Sequence, residues 1–278
     1  MAPDLGTNEQ TMAWIYDTYS INAGTNKPHI VTGKPVQVYG TEGRREATGN
    51  GVVYTIEEAA KLTNLRLHGA SAIIQGFGNV GSVVANGLYT RGVKVVGVAD
   101  MTGHYLRPEG YHISDLLEHM ETHRSLAGWD EIEKDKVSRE EFFTQPCDIV
   151  VPAAMEMQID GNIARKMNCR ILAEAANGPC TTDADQYFRE HPDDVFVIPD
   201  ILCNSGGVIV SYFEWVQDLQ MYFWSPEEVD ARLQQLIRRA FITTYQHAQS
   251  LRKDMRTGAL ALGVKRIGKE KEWRGLFP

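Results

Sequence analysis

The sequence has 278 residues, 43% of them apolar, which suits one large globular domain or two modest ones. Its formal net charge of −8 argues against a broad nucleic-acid interface, because such surfaces are basic. No apolar run approaches the roughly 18 residues that cross a membrane, and residues 1–7 lack the basic and apolar stretches of a secretory signal, so a cytoplasmic setting is expected.

In chain order, a helix is expected over 8–20, opened by a Thr7-x-x-Gln10 capping box. The stretch 24–51 is rich in Gly, Thr and Pro and long for a loop, which suggests a hinge or a ligand-lined connection. Val52, Ile56, Ala59, Ala60 and Thr63 then fall at helical spacing over 52–65. From residue 70 the rhythm becomes strand, helix, strand over 72–75, 79–91 and 93–100. Strands at 148–153, 169–175 and 195–199 alternate with helices near 113–125, 160–167 and 182–190. That alternation predicts an α/β fold, a Rossmann-like doubly wound parallel sheet. Flanking helices close the chain: one over 206–223, one opened by Ser225-Pro226-Glu227-Glu228, and one over about 258–272. Cys147, Cys169, Cys180 and Cys203 form no CxxC pair and match no zinc spacing, so free thiols and no metal are expected.

The chemistry starts at Gln75-Gly76-Phe77-Gly78-Asn79-Val80-Gly81, a GxGxxG segment between a strand and a helix. Gly76 permits a tight turn, Gly78 lets the backbone approach a pyrophosphate, and Gly81 lets helix and strand pack closely. Gly76, Phe77, Gly78, Asn79 and Val80 are therefore the expected phosphate-binding residues, with the helix start supplying N–H groups. Asp100 ends the next strand 19 residues after Gly81, where a carboxylate meets a ribose 2′-hydroxyl and repels a 2′-phosphate. NAD is expected over NADP.

An ordered series of segments resembles the glutamate dehydrogenases, within the glutamate/leucine/phenylalanine/valine dehydrogenase family. The series runs Ala2-Pro3-Asp4-Leu5-Gly6-Thr7, Val31-Thr32-Gly33-Lys34-Pro35, Arg44-x-x-Ala47-Thr48-Gly49, the glycine turn, and Pro152-Ala153-Ala154. It continues with Ala173-Glu174-Ala175-Ala176-Asn177-Gly178-Pro179, Asn204-Ser205-Gly206-Gly207-Val208 and Ser211-Tyr212-Phe213-Glu214-Trp215. The resemblance implies oxidative deamination of L-glutamate to 2-oxoglutarate and ammonia with hydride transfer to NAD(P). It implies that Asp4 serves proton transfer, a need the chemistry sets independently. It also implies that Thr48, Ala153, Asn177 and Asn204 contact the cofactor, while Val208 and Ser211 line the substrate pocket. The Ser211 hydroxyl suits a γ-carboxylate better than a leucine side chain; a mid-helix Ser bonded to its own helix is the structural alternative.

The pattern also breaks. Asn50 stands where Arg is usual, and Met157 where Asn is usual. The family's lysine-bearing Gly-Gly-x-Lys-type segment lies upstream of the Asp4 motif, and Lys27 and Lys34 do not match it. The stretch thus resembles the C-terminal portion of such an enzyme: 45–255 binding the dinucleotide, 1–44 a remnant of the substrate side and hinge, and 256–278 a helix returning to it. Turnover is expected to need the lysine segment; the resemblance implies a homo-oligomer, a hexamer in the family built largely through the upstream domain, and self-association is expected of this stretch alone. The alternatives are a non-catalytic NAD-binding module and a dehydrogenase for leucine, valine or phenylalanine.

Overall fold

The computed structural model describes residues 1–4 and 6–275; Leu5 of the Asp4 segment lies outside them. Helix α1 (Glu9–Ala23) leads through two short 3-10 turns into α2 (Ala47–Leu62). The alternating region follows as β1 (Ser71–Gln75), α3 (Gly81–Tyr89), β2 (Lys94–Asp100), β3 (Gly103–Leu106), α4 (Ile113–His123), α5 (Asp130–Glu133) and β4 (Lys136–Val137). It continues with α6 (Arg139–Thr144), β5 (Ile149–Pro152), α7 (Gly161–Lys166), β6 (Ile171–Ala173), α8 (Thr182–Glu190) and β7 (Phe196–Ile198). Helices α9 (Asp200–Cys203), α10 (Gly206–Gln220), α11 (Pro226–Leu251) and α12 (Met255–Arg274) complete the chain.

β1 carries Ala72, Ile73 and Ile74 with no apolar–polar alternation, so both of its faces need cover. Both have it. Ala72 and Ile74 join a core with Val52, Ile56 and Ala59 of α2 and Val84 and Leu88 of α3. Ile73 joins a second core with Phe142 and Phe143 of α6, Ile163 of α7 and Phe188 of α8. Burying an Ile side chain fully is worth roughly 1.5–3 kcal/mol, so these short strands owe their stability to the helical layers on each side.

The strand order is β4-β3-β2-β1-β5-β6-β7. β1 pairs in parallel with both β2 and β5, and the parallel run extends through β6 to β7. The chain leaves β1 toward β2 and later returns to its other side as β5. In open sheets of this kind the ligand crevice lies where that order reverses, which here is beyond the C-terminal ends of β1 and β5.

The structure corrects four local expectations. The sheet is mixed: β3 and β4 add an antiparallel edge, from runs of four and two residues too short to carry a strand signal. Helix α2 starts at Ala47, inside the stretch expected to be loop. Its glycines mark close packing rather than flexibility, since a Cβ on Gly49 would meet Val83 Cβ at 2.5 Å and one on Gly51 would meet Gly206 Cα at 3.0 Å. The cap of α1 is Asn8, whose Oδ1 accepts the Thr11 N–H at 3.1 Å. Thr7 instead closes a turn on Asp4, accepting its N–H at 2.7 Å and donating to its carbonyl at 2.8 Å. α12 starts three residues earlier than expected, at Met255, because Asp254 caps it by accepting the Thr257 N–H at 3.0 Å. The expected Ser225–Glu228 capping box is present at the start of α11.

Candidate functional site

The glycine turn lies at the mouth of the crevice, and its three glycines do different work. Gly76 has φ +93°, and a Cβ there would stand 2.7 Å from the Ala153 carbonyl oxygen. A Cβ on Gly81 would stand 1.7 Å from the Gly76 carbonyl oxygen. The protein's own backbone therefore requires both. Gly78 is different: a Cβ there would meet nothing within 4 Å. Its bareness serves no packing need of the chain and leaves room for a group from outside. Phe77 is buried in the core, so only its backbone faces the crevice, while Asn79 is exposed and Val80 packs partly against the core. Ala153 borders the same mouth, its N–H donating to Gln75 O at 2.7 Å.

Asp100 sits at the end of β2, and its carboxylate is heavily engaged. Oδ1 accepts the Thr102 N–H at 2.8 Å and the Thr102 hydroxyl. Oδ2 accepts the Leu126 N–H at 2.7 Å and the Ser125 hydroxyl at 3.3 Å. All of its roughly four acceptor sites are filled, so a ribose hydroxyl would displace a partner, and Ser125 holds the longest bond.

Across the crevice, Asn204 Nδ2 donates to Asn177 Oδ1 at 2.7 Å. No further hydrogen bond engages the Asn177 amino group or the Asn204 amide oxygen among the described residues. Together they offer a free amino group and a free amide oxygen, the complement of a primary carboxamide. Beside them, Met157 holds φ +54°, a conformation Asn tolerates far better than Met. Met157→Asn is accordingly expected to raise stability by about 0.5–1 kcal/mol, read as a rise in urea midpoint at unchanged slope.

The other wall is α10. Its Ser211 is not back-bonded to its own helix: the hydroxyl accepts Arg44 Nε at 2.9 Å. Val208, one turn earlier, is 68% exposed. Arg44 opens the Arg44-x-x-Ala47-Thr48-Gly49 segment. Its guanidinium is half-buried, and burial pulls its pKa down, with Glu214 opposing. The terminal nitrogens have no partner among the described residues, and Gly207 leaves them space. Thr48 lies against the same glycine, with Oγ1 2.6 Å from the place of its missing Cβ. A partly desolvated cation beside a hydroxyl is a seat for a carboxylate.

Lys34 belongs to the scaffold. Its Nζ lies 2.6 Å from Glu214 and 2.8 Å from Asp218, with all three side chains fully buried. Glu214 also accepts the N–H groups of Gly33 and Lys34, at 2.8 and 3.3 Å. The segment around Gly33 is thereby tied to α10 one turn from Ser211. The start of the chain rests on that segment: Thr32 N–H donates to Met1 O at 2.7 Å, and a Cβ on Gly33 would collide with Pro3. Asp4 follows directly on these anchored residues, its backbone closed in a turn with Thr7. Among the described residues one cluster has metal-ligand spacing, Glu174, Cys180 and Asp185, and the Arg256 guanidinium already pairs with both carboxylates. No helix among them is long and apolar enough to cross a membrane.

The family model for glutamate/leucine/phenylalanine/valine dehydrogenases matches residues 40–275. The chain belongs to that family. Among relatives within it, an NAD-specific glutamate dehydrogenase of Staphylococcus aureus is 42% identical over 274 residues, 99% of this chain and 65% of that protein. A catabolic NAD-specific glutamate dehydrogenase of Bacillus subtilis is 41% identical, over 99% of this chain and 63% of its own length. The hetero-hexameric glutamate dehydrogenase of Thermus thermophilus in its leucine-bound form superposes with a TM-score of 0.92 at 39% identity, covering all of this chain and 65% of that one. The chain thus spans just under two thirds of these family members.

Proposed function

We propose that this chain carries the NAD-binding side of a glutamate dehydrogenase, which converts L-glutamate to 2-oxoglutarate and ammonia. The observation that carries the reading is Gly78, bare toward open space between two glycines that the backbone itself demands. In this reading the turn 76–80 and Ala153 border the pyrophosphate, Asp100 faces the ribose, and Asn177 and Asn204 take the carboxamide, with Thr48 nearby. The dinucleotide supplies a two-electron acceptor for the substrate's Cα–H bond. The chain's residues do the rest. Arg44 and Ser211 hold a substrate carboxylate, Val208 borders the pocket, and Asp4 passes a proton to and from the amino nitrogen. Glutamate is favoured over leucine, valine or phenylalanine because Arg44 would face an apolar side chain unpaired. We assign 45–255 to cofactor binding and the flanking segments to the substrate side, in a cytoplasmic homo-oligomer.

Fluorescence titration tests the reading. NADH should bind the parent protein at least about tenfold more tightly than NADPH, and Asp100→Ala should narrow that gap mainly by improving NADPH. No saturable binding of either dinucleotide would sink the proposal.

A further inference from the structure

Arg256 stands in the first turn of α12, far in sequence from the crevice, yet its guanidinium joins the two loops that carry the asparagine pair. Nη2 donates to Glu174 Oε1 and Oε2 at 2.6 and 2.5 Å and lies 3.3 Å from Asp185. Nη1 donates to Asp200 Oδ1 at 2.8 Å. Asp200 closes the circuit: its N–H donates to Glu174 Oε2 at 2.8 Å, and its Oδ2 accepts the Gly178 N–H at 2.9 Å. Glu174 follows β6 and opens the loop that holds Asn177. Asp200 opens α9, and Asn204 ends it.

The arrangement is costly and specific. The Glu174 side chain is fully buried. Burial pushes its carboxyl pKa up while Arg256 pulls it down. A buried carboxylate persists only when paired and hydrogen-bonded. A staple for α12 would need Glu174 alone. The further link, from Arg256 through Asp200 to the Gly178 N–H, acts on the residue next to Asn177. Resting on the cofactor reading above, we propose that Arg256 is a positioning residue: through Glu174 and Asp200 it sets Asn177 and Asn204 in register for the carboxamide end of the dinucleotide.

Two ligands separate this role from general stability. NADH spans the whole crevice, whereas ADP-ribose lacks the nicotinamide. Both are titrated into the 278-residue chain and its variants Arg256→Met, Arg256→Lys and Asp200→Asn. Arg256→Met should weaken NADH about tenfold, as expected for one misplaced polar contact pair, and ADP-ribose by no more than about twofold. Arg256→Lys should recover part of the loss, and Asp200→Asn should show the same split. Equal weakening of both ligands, or unchanged NADH affinity, overturns the proposal. If Arg256→Met does not fold, Asp200→Asn decides on the same criterion. A parent protein that binds neither ligand refutes the cofactor reading itself, a result distinct from variants that show no split.

Discussion

Gly78→Val should abolish measurable dinucleotide binding and leave the melting temperature within about 2 °C of the parent. Gly81→Ala should do the reverse in kind, costing at least about 4 kcal/mol of stability whether or not ligand is present. The contrast follows from what a side chain would meet. At Gly81 the added carbon would stand 1.7 Å from a backbone oxygen that cannot swing aside, so helix and strand must separate. At Gly78 the added groups would enter space that nothing in the chain occupies. A valine there would fill the volume that a pyrophosphate needs and cover the N–H groups at the start of α3. Thermal melts and NADH titrations on both variants check the pair. A Gly78→Val protein with parental affinity would show that the bare position serves no ligand.

Lys34→Met should lower stability by about 3–5 kcal/mol, because it strands two fully buried carboxylates without a cation. Asp218 is the weaker member of the trio even in the parent. Its Oδ1 has no hydrogen-bond partner, and burial pushes its pKa from 3.8 to about 6, with Lys34 only partly opposing. The folded state therefore holds this proton more tightly than the unfolded chain. The stability it contributes is present below pH 4 and is lost as pH rises through 6. Asp218→Asn should remove that loss, stabilising the protein by about 1–3 kcal/mol at pH 8 and by little at pH 4. Denaturant midpoints between pH 4 and 8 measure both effects. A Lys34→Met protein of parental stability would mean that water reaches the trio.

The sheet and the glycine turn were readable because each rests on local chemistry. Ala72, Ile73 and Ile74 announce a strand covered on both faces, and Gly76 and Gly81 stand where strand and helix must touch. The glycines of α2 misled for the opposite reason. Gly49 and Gly51 look like loop residues in a line of text, and only the packing of α3 and α10 against them explains their absent side chains. The antiparallel edge was illegible because His104, Tyr105 and Lys136 carry no periodic pattern. At the site, the resemblance placed Ser211 and Asn177 in roles, but their partners come from across the fold. Arg44 lies 167 residues from Ser211, and Arg256 lies 82 residues from Glu174. No spacing rule connects such pairs, although the motif that held Arg44 was the signal that could have drawn attention to it.

The carboxylate of Asp100 is saturated before any ligand arrives. A ligand hydroxyl arriving at a carboxylate whose acceptor sites are full does not add a bond; it trades places with Ser125. Such an exchange is close to neutral in free energy for the right ligand. For a ligand bearing a dianion at that position it is steeply unfavourable, since a full negative charge must approach another. On the proposed reading Asp100 is a gatekeeper with little share in holding the guest: it would set which dinucleotide is refused and leave the strength of the accepted one to the glycine turn and the asparagine pair.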